Sequence, residues 1–289
     1  MKRILLATVF LALASTSFAQ SMDDTDLTSP PTSDTPPPRI FPPRPEGPPI
    51  DRPAATTNLT YHGGPVITNA KVVSIFWGPA ATWGTQSSPS VLASTLVGFF
   101  GNFGTTGEYN VITQYSGIHL SNLTTQSWVD NSTPPTAVTD SILQGEVRKY
   151  LNTFHGGVGD GSTIYSVFLP PASYATIQGV SSCGGPNLQF CAYHSNFSYN
   201  GVDVKYSSLP YPSCSGCQWP GWSVAMNFEH FTCHETREAV TDPDGNAWYD
   251  HSGNEADDKC AWSPALFTDQ GFAYQYEWSN LAKGCVKTR

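Results

Sequence analysis

Residues 227–260, NFEHFTCHETREAVTDPDGNAWYDHSGNEADDKC, hold the side chains best able to do chemistry. His234 and Glu238 are four apart. On a helix of about 3.6 residues per turn they share a face, with Glu235 beside them. This is the pattern of the H-E-x-x-H zinc helix with a carboxylate in place of the second imidazole. Downstream, GNEADDKC returns Glu255, Asp257 and Asp258. Zinc takes nitrogen and oxygen donors at about 2 Å, and a catalytic site keeps one position open for water. His234, Glu238 and Glu255 are therefore expected as Zn2+ ligands. Asp258 is expected to orient a ligand, or to exchange roles with Glu255. Glu235 is the expected general base, taking a proton from the activated water. The reaction this implies is hydrolysis of a peptide or protein substrate. Two carboxylate ligands leave the ion a weaker Lewis acid than two imidazoles would. Asp244, in the turn between Pro243 and Gly245, is a rival third ligand. His230, one turn before His234, is expected to be a hydrogen-bonding neighbour.

Those residues need a scaffold. A helix is expected over roughly 223–240. Lys71 to Trp77 and Thr163 to Leu169 are rich in β-branched and aromatic residues and predict buried strands. Ser90 to Phe103 and Thr139 to Phe154 place apolar residues on one face, the second with Ile142, Leu143, Val147, Tyr150 and Leu151 inward. GEYNVITQY and IHLSNLT suggest further strands, and FAYQYEW a last one. The stretch 180–222 predicts loops stapled by cysteines. Strand and helix alternation favours an α/β (α+β) fold, a mixed sheet with packed helices.

The N-terminus, MKRILLATVFLALASTSFAQ, has a basic start, an apolar middle and small residues before Gln20. It predicts a secretory signal over residues 1–19. The destination is extracellular, or periplasmic if the chain is retained in a Gram-negative bacterium. Loss of Lys2 and Arg3 takes the formal charge from −9 to −11. With no basic stripe, nucleic acid is excluded as a partner. No later stretch is apolar for long enough to span a membrane. Residues 20–57 are dominated by proline and predict a polyproline-like, disordered linker. The alternative is a pro-segment that occludes the site. The folded domain is expected over 58–289. All seven cysteines lie beyond residue 180, and in an oxidising compartment they should pair with one left over. The expected bridges are Cys183–Cys191, Cys214–Cys217 and Cys260–Cys285, with Cys233 facing the core.

Several ordered segments are similar to one family. YHGGPVITNAKVVSIFWG, FCAYHS at 190–195, CSGCQWP at 214–220, and HETREAVTDPDGNAWYD followed by GNEADDKC resemble the EXORDIUM, or phosphate-induced, proteins. The likeness runs from Tyr61 to Cys285. Its most specific part is an H-E-x-x-E helix, a T-[DN]-P turn, N-A-W, then E-x-x-D-x-C. Here the matching positions are His234, Glu235, Glu238, Glu255, Asp258 and Cys260. Asp244 lies outside the pattern, which ranks it below Glu255. The resemblance implies an extracellular protein, linked in plants to growth and nutrient signalling, with a zincin-like motif. A second reading is a non-catalytic extracellular signalling or cell-wall-associated protein that keeps the helix for structure. Binding of a cell-wall glycan through the many aromatics is a third.

Overall fold

A computed structural model describes residues 39–46 and 57–289. The expected signal at 1–19 and most of the proline-rich stretch lie outside those residues. The main sheet has six strands: β1 (Arg39–Phe41), β2 (Lys71–Trp77), β3 (Thr124–Asp130), β4 (Thr163–Phe168), β5 (Ala192–Tyr199) and β6 (Val202–Leu209). Across the sheet their order is β1-β5-β6-β4-β2-β3. From β6 to β3 neighbouring strands are parallel, while β5 and β1 are added antiparallel at one edge. The main helices are α1 (Val91–Phe103), α2 (Asp140–Phe154) and α3 (Val224–Thr241). The fold is the expected α/β type with a mixed sheet. No helix among the described residues is long and apolar enough to cross a membrane.

Strand side chains alternate between faces, and the two faces build separate cores. Val72, Phe76, Ile164 and Phe168 pack with Leu96, Phe99 and Phe100 of α1 and with Phe228 and Phe231 of α3. Val73, Ile75, Tyr165 and Val167 pack with Leu143, Val147, Tyr150 and Leu151 of α2. Full burial of each such side chain contributes about 1.5–3 kcal/mol. Ile142, expected inward, is instead 37% exposed. All three helices start at a side-chain cap: Ser90, Thr139 and Ser223 accept the amides of Ala93, Ile142 and Met226. Such a cap satisfies one of the open amides of the first turn.

Five further expectations need correction. GEYNVITQY is not a strand: Gly107–Asn110 is helical and Val111–Gln114 a 3-10 turn, begun by Thr106 accepting the amide of Tyr109. The second suggested strand starts only at Thr124, at the end of IHLSNLT. The stretch 180–222 is not mainly loop, because β5 and β6 form a hairpin inside it. Its two-residue turn is Asn200-Gly201, with φ of 49° and 77°. That dipeptide is a strong hairpin signal because both residues tolerate positive φ. The proline-rich linker does not reach 57 unbroken, since Arg39–Phe41 pairs with β5.

The fifth correction concerns disulfides. The bridges are Cys183–Cys214, Cys191–Cys217 and Cys260–Cys285. Only the last matches expectation. The hairpin separates the two cysteine pairs in sequence and returns them together in space. Cys233 is free and buried in the core.

Candidate metal centre

Helix α3 is buried from Asn227 to Thr241. A polar group buried without a partner costs roughly 2–7 kcal/mol, so its acids and imidazoles govern what packs on them. Gln275 lies just beyond the strand Phe272–Tyr274. Its Nε2 donates to Asp257 O (3.0 Å) and Oδ1 (2.7 Å), which turns Oε1 toward α3. There Oε1 is 2.9 Å from His230 Nε2 and 3.3 Å from His234 Nδ1. An amide oxygen only accepts, so both ring nitrogens donate. In the neutral His234 ring, Nε2 then keeps its lone pair. No described residue hydrogen-bonds that atom.

The carboxylates are held in the same way. Glu238 Oε1 accepts the Asp258 amide at 3.0 Å, and Asp258 Oδ2 accepts the Glu255 amide at 3.2 Å. One oxygen of each is tied by the chain and the other is left over. The remaining atoms converge: Glu238 Oε2 is 3.1 Å and Asp258 Oδ1 3.8 Å from His234 Nε2. All three ligand atoms lie within 4.8 Å of one another. Ligands at about 2 Å from a tetrahedral ion stand roughly 3.3 Å apart, so little contraction is needed. One imidazole and two carboxylates, their free atoms converging, are a donor set that fits zinc.

The remaining acids surround this point. Glu235 Oε2 is 3.3 Å from His194 Nδ1 on β5, and its Oε1 has no hydrogen-bond partner among the described residues. Glu255 stands between His194 and Arg39 and outside the His234 group. Its Oε1 is 3.8 Å from His194 Nε2 and its Oε2 3.7 Å from Arg39 Nε, with neither oxygen hydrogen-bonded in the described chain. Asp258, rather than Glu255, therefore takes the place beside His234 and Glu238. The reason lies in Asp257, which turns back to the buried Arg237 of α3, itself also paired with Glu277 at 2.5 Å, so the next residue projects onto α3. Asp244 is drawn off by Lys205 and Asn196. His230 is the hydrogen-bonding neighbour expected. Cys183, Cys214 and Cys217 also cluster, but their sulfurs are spent in disulfides.

Five carboxylates, Glu235, Glu238, Asp242, Glu255 and Asp258, crowd one point, and only the Asp258 side chain keeps notable exposure, 21%. Burial, then repulsion from neighbouring carboxylates, raises Glu235 and Glu255 well above the usual carboxylate range and Asp258 to about 7. Burial lowers His234, but Glu238, Glu235 and Asp257 outweigh it and hold the ring up to about 10. Burial takes His194 down to about 3, helped by the charges of His234 and Arg39. Protons are one way to offset so much negative charge, and a divalent cation is the other.

The chain matches no family model, no curated protein and no solved structure. Two contributors escaped the sequence reading. His194 did not: beside Tyr193 it is a candidate to line the cleft as a transition-state donor, or simply to pack near the 183–191 loop, and the Asn200-Gly201 turn could have placed it on a strand. Gln275 sits in FAYQYEW without a motif. Arg39 gave no signal.

Proposed function

We propose that this chain is an exported zinc-dependent hydrolase of peptide bonds, of the EXORDIUM type. The observation that carries the reading is the convergence of His234 Nε2, Glu238 Oε2 and Asp258 Oδ1, each left over after its other atom is tied. These three residues would hold the ion. When bound, it would supply Lewis acidity toward a carbonyl and lower the pKa of water. Gln275 fixes the His234 tautomer. Glu235 presents an unpartnered Oε1 in a buried setting and acts as the base. His194 holds the other oxygen of Glu235 and so aims the carboxylate. The three disulfides suit an oxidising, extracellular compartment.

A second reading is a non-catalytic extracellular protein with a structural ion. Complete burial of His234, Glu235 and Glu255 favours it, because catalytic zinc keeps an open position. Elemental analysis and a peptide assay separate the two. The hydrolase reading expects one zinc per chain, lost in His234→Ala with the fold retained. Glu235→Gln should keep the metal and lose about 10²–10⁴-fold in rate. A folded chain that takes up no zinc overturns the hydrolase and the structural ion, and leaves the non-catalytic protein that keeps the helix for structure alone. Zinc without hydrolysis in chain freed of β1 leaves the structural one.

A further inference from the structure

Part of the site's cover has a specific source. β1 lies over the site, and it comes from the proline-rich stretch. Along β5 the register is Arg39 opposite His194, Ile40 opposite Tyr193 and Phe41 opposite Ala192. Cys191 N donates to Phe41 O at 2.8 Å. Opposed residues in a sheet point to the same face, so Arg39 and Phe41 face α3 while Ile40 is 39% exposed. Phe41 is fully buried. Its ring centroid lies 4.2 Å from His234, 5.1 Å from His230 and 5.1 Å from Trp262, on which it stacks. Trp262 Nε1 donates to Pro42 O at 2.8 Å.

Arg39 fits less well. Its Nη1 and Nη2 donate to Gly253 O (3.0 Å) and Gly245 O (3.3 Å). Its guanidinium stands 5.3 Å from the Tyr249 ring centroid. Yet the carboxylates it faces are at 3.7 Å (Glu255) and 3.9 Å (Asp242). Arg39 Nε, both Glu255 oxygens and Asp242 Oδ2 make no hydrogen bond within the described chain. Three residues on one open edge, bracketed by Pro36–Pro38 and Pro42–Pro43 in sequence, have the form of a bound peptide. Pro42 and Pro43 have no amide to add to the ladder.

We propose that the edge of β5 is a binding groove for an extended peptide with a basic residue followed, two positions on, by an aromatic one. β1 is its built-in occupant. An added strand gains its main-chain bonds from β5, and its alternate side chains enter two pockets, acidic at Glu255 and Asp242, aromatic at Trp262 and His234. While β1 is in place it keeps external peptides from the candidate metal centre. As a statement of substrate class this rests on the hydrolase reading, but peptide binding needs no metal.

The test uses the full chain with Arg39→Ala/Phe41→Ala and a fluorescent peptide of sequence PRIFPPR. Anisotropy is read with zinc and with EDTA. The variant should bind the peptide about 100-fold more tightly than the wild type, where tethered β1 competes at roughly millimolar effective concentration. PAIAPPR should not bind. A folded variant that binds neither peptide, or both equally, overturns the proposal. If the variant does not fold, refolding with PRIFPPR decides: recovery of a cooperative melt supports the groove, and no recovery overturns it. Peptide binding without zinc uptake leaves the groove standing and removes the hydrolase. Zinc uptake without peptide binding does the reverse.

Discussion

Gln275 holds two imidazoles with one oxygen, and its own orientation is set by Asp257. A residue that fixes a ligand's tautomer contributes to affinity without touching the ion. Gln275→Ala is expected to weaken zinc binding about 10–100-fold, measured by competition with a chromogenic chelator. An unchanged affinity would remove the orienting role. Away from the site, Glu146 on α2 is buried, and burial together with Asp130 raises its pKa to about 8. Its folded value exceeds that of the unfolded chain. The stability this carries is complete below the unfolded pKa and is lost as pH rises through about 8. Glu146→Gln should therefore gain about 1 kcal/mol or more on wild type between pH 5 and pH 8. Urea melts at the two pH values check it, and parallel curves would refute it.

At the scale of elements, the β5–β6 hairpin decides both the site and the cross-links. It carries His194 to Glu235, and it places Cys191 beside Cys217 and leaves Cys183 for Cys214. Digestion without reduction should yield peptides joining 183 to 214 and 191 to 217. Finding 183 joined to 191 would show a different course for this segment. The bridges span 31 and 26 residues, so Cys183→Ala/Cys214→Ala should cost about 3 kcal/mol in a denaturant titration. A loss near zero would mean that the hairpin alone fixes the segment.

For the whole molecule, buried acids on α3 and in the 255–258 turn store repulsion that a cation relieves. Zinc should therefore raise the melting temperature, since ligand at about 1,000 times Kd adds about 4 kcal/mol. Calorimetry with zinc and after EDTA measures this. Equal melting temperatures would contradict a site formed by folding. The Arg237–Asp257–Glu277 group is buried beside it, with one guanidinium shared by two carboxylates.

The strands Lys71–Trp77 and Thr163–Phe168 and the three main helices were legible because their apolar spacing and caps are local. So was the pairing of His234 with Glu238, which one helical turn imposes. Two things were not local. Whether Glu255 or Asp258 meets His234 depends on Arg237 capturing Asp257, a partner 20 residues away. Whether Arg39 and Phe41 belong to a linker or to the site depends on the open edge of a hairpin some 150 residues later. Spacing within one element fixes a direction, and only packing between elements fixes what stands in that direction.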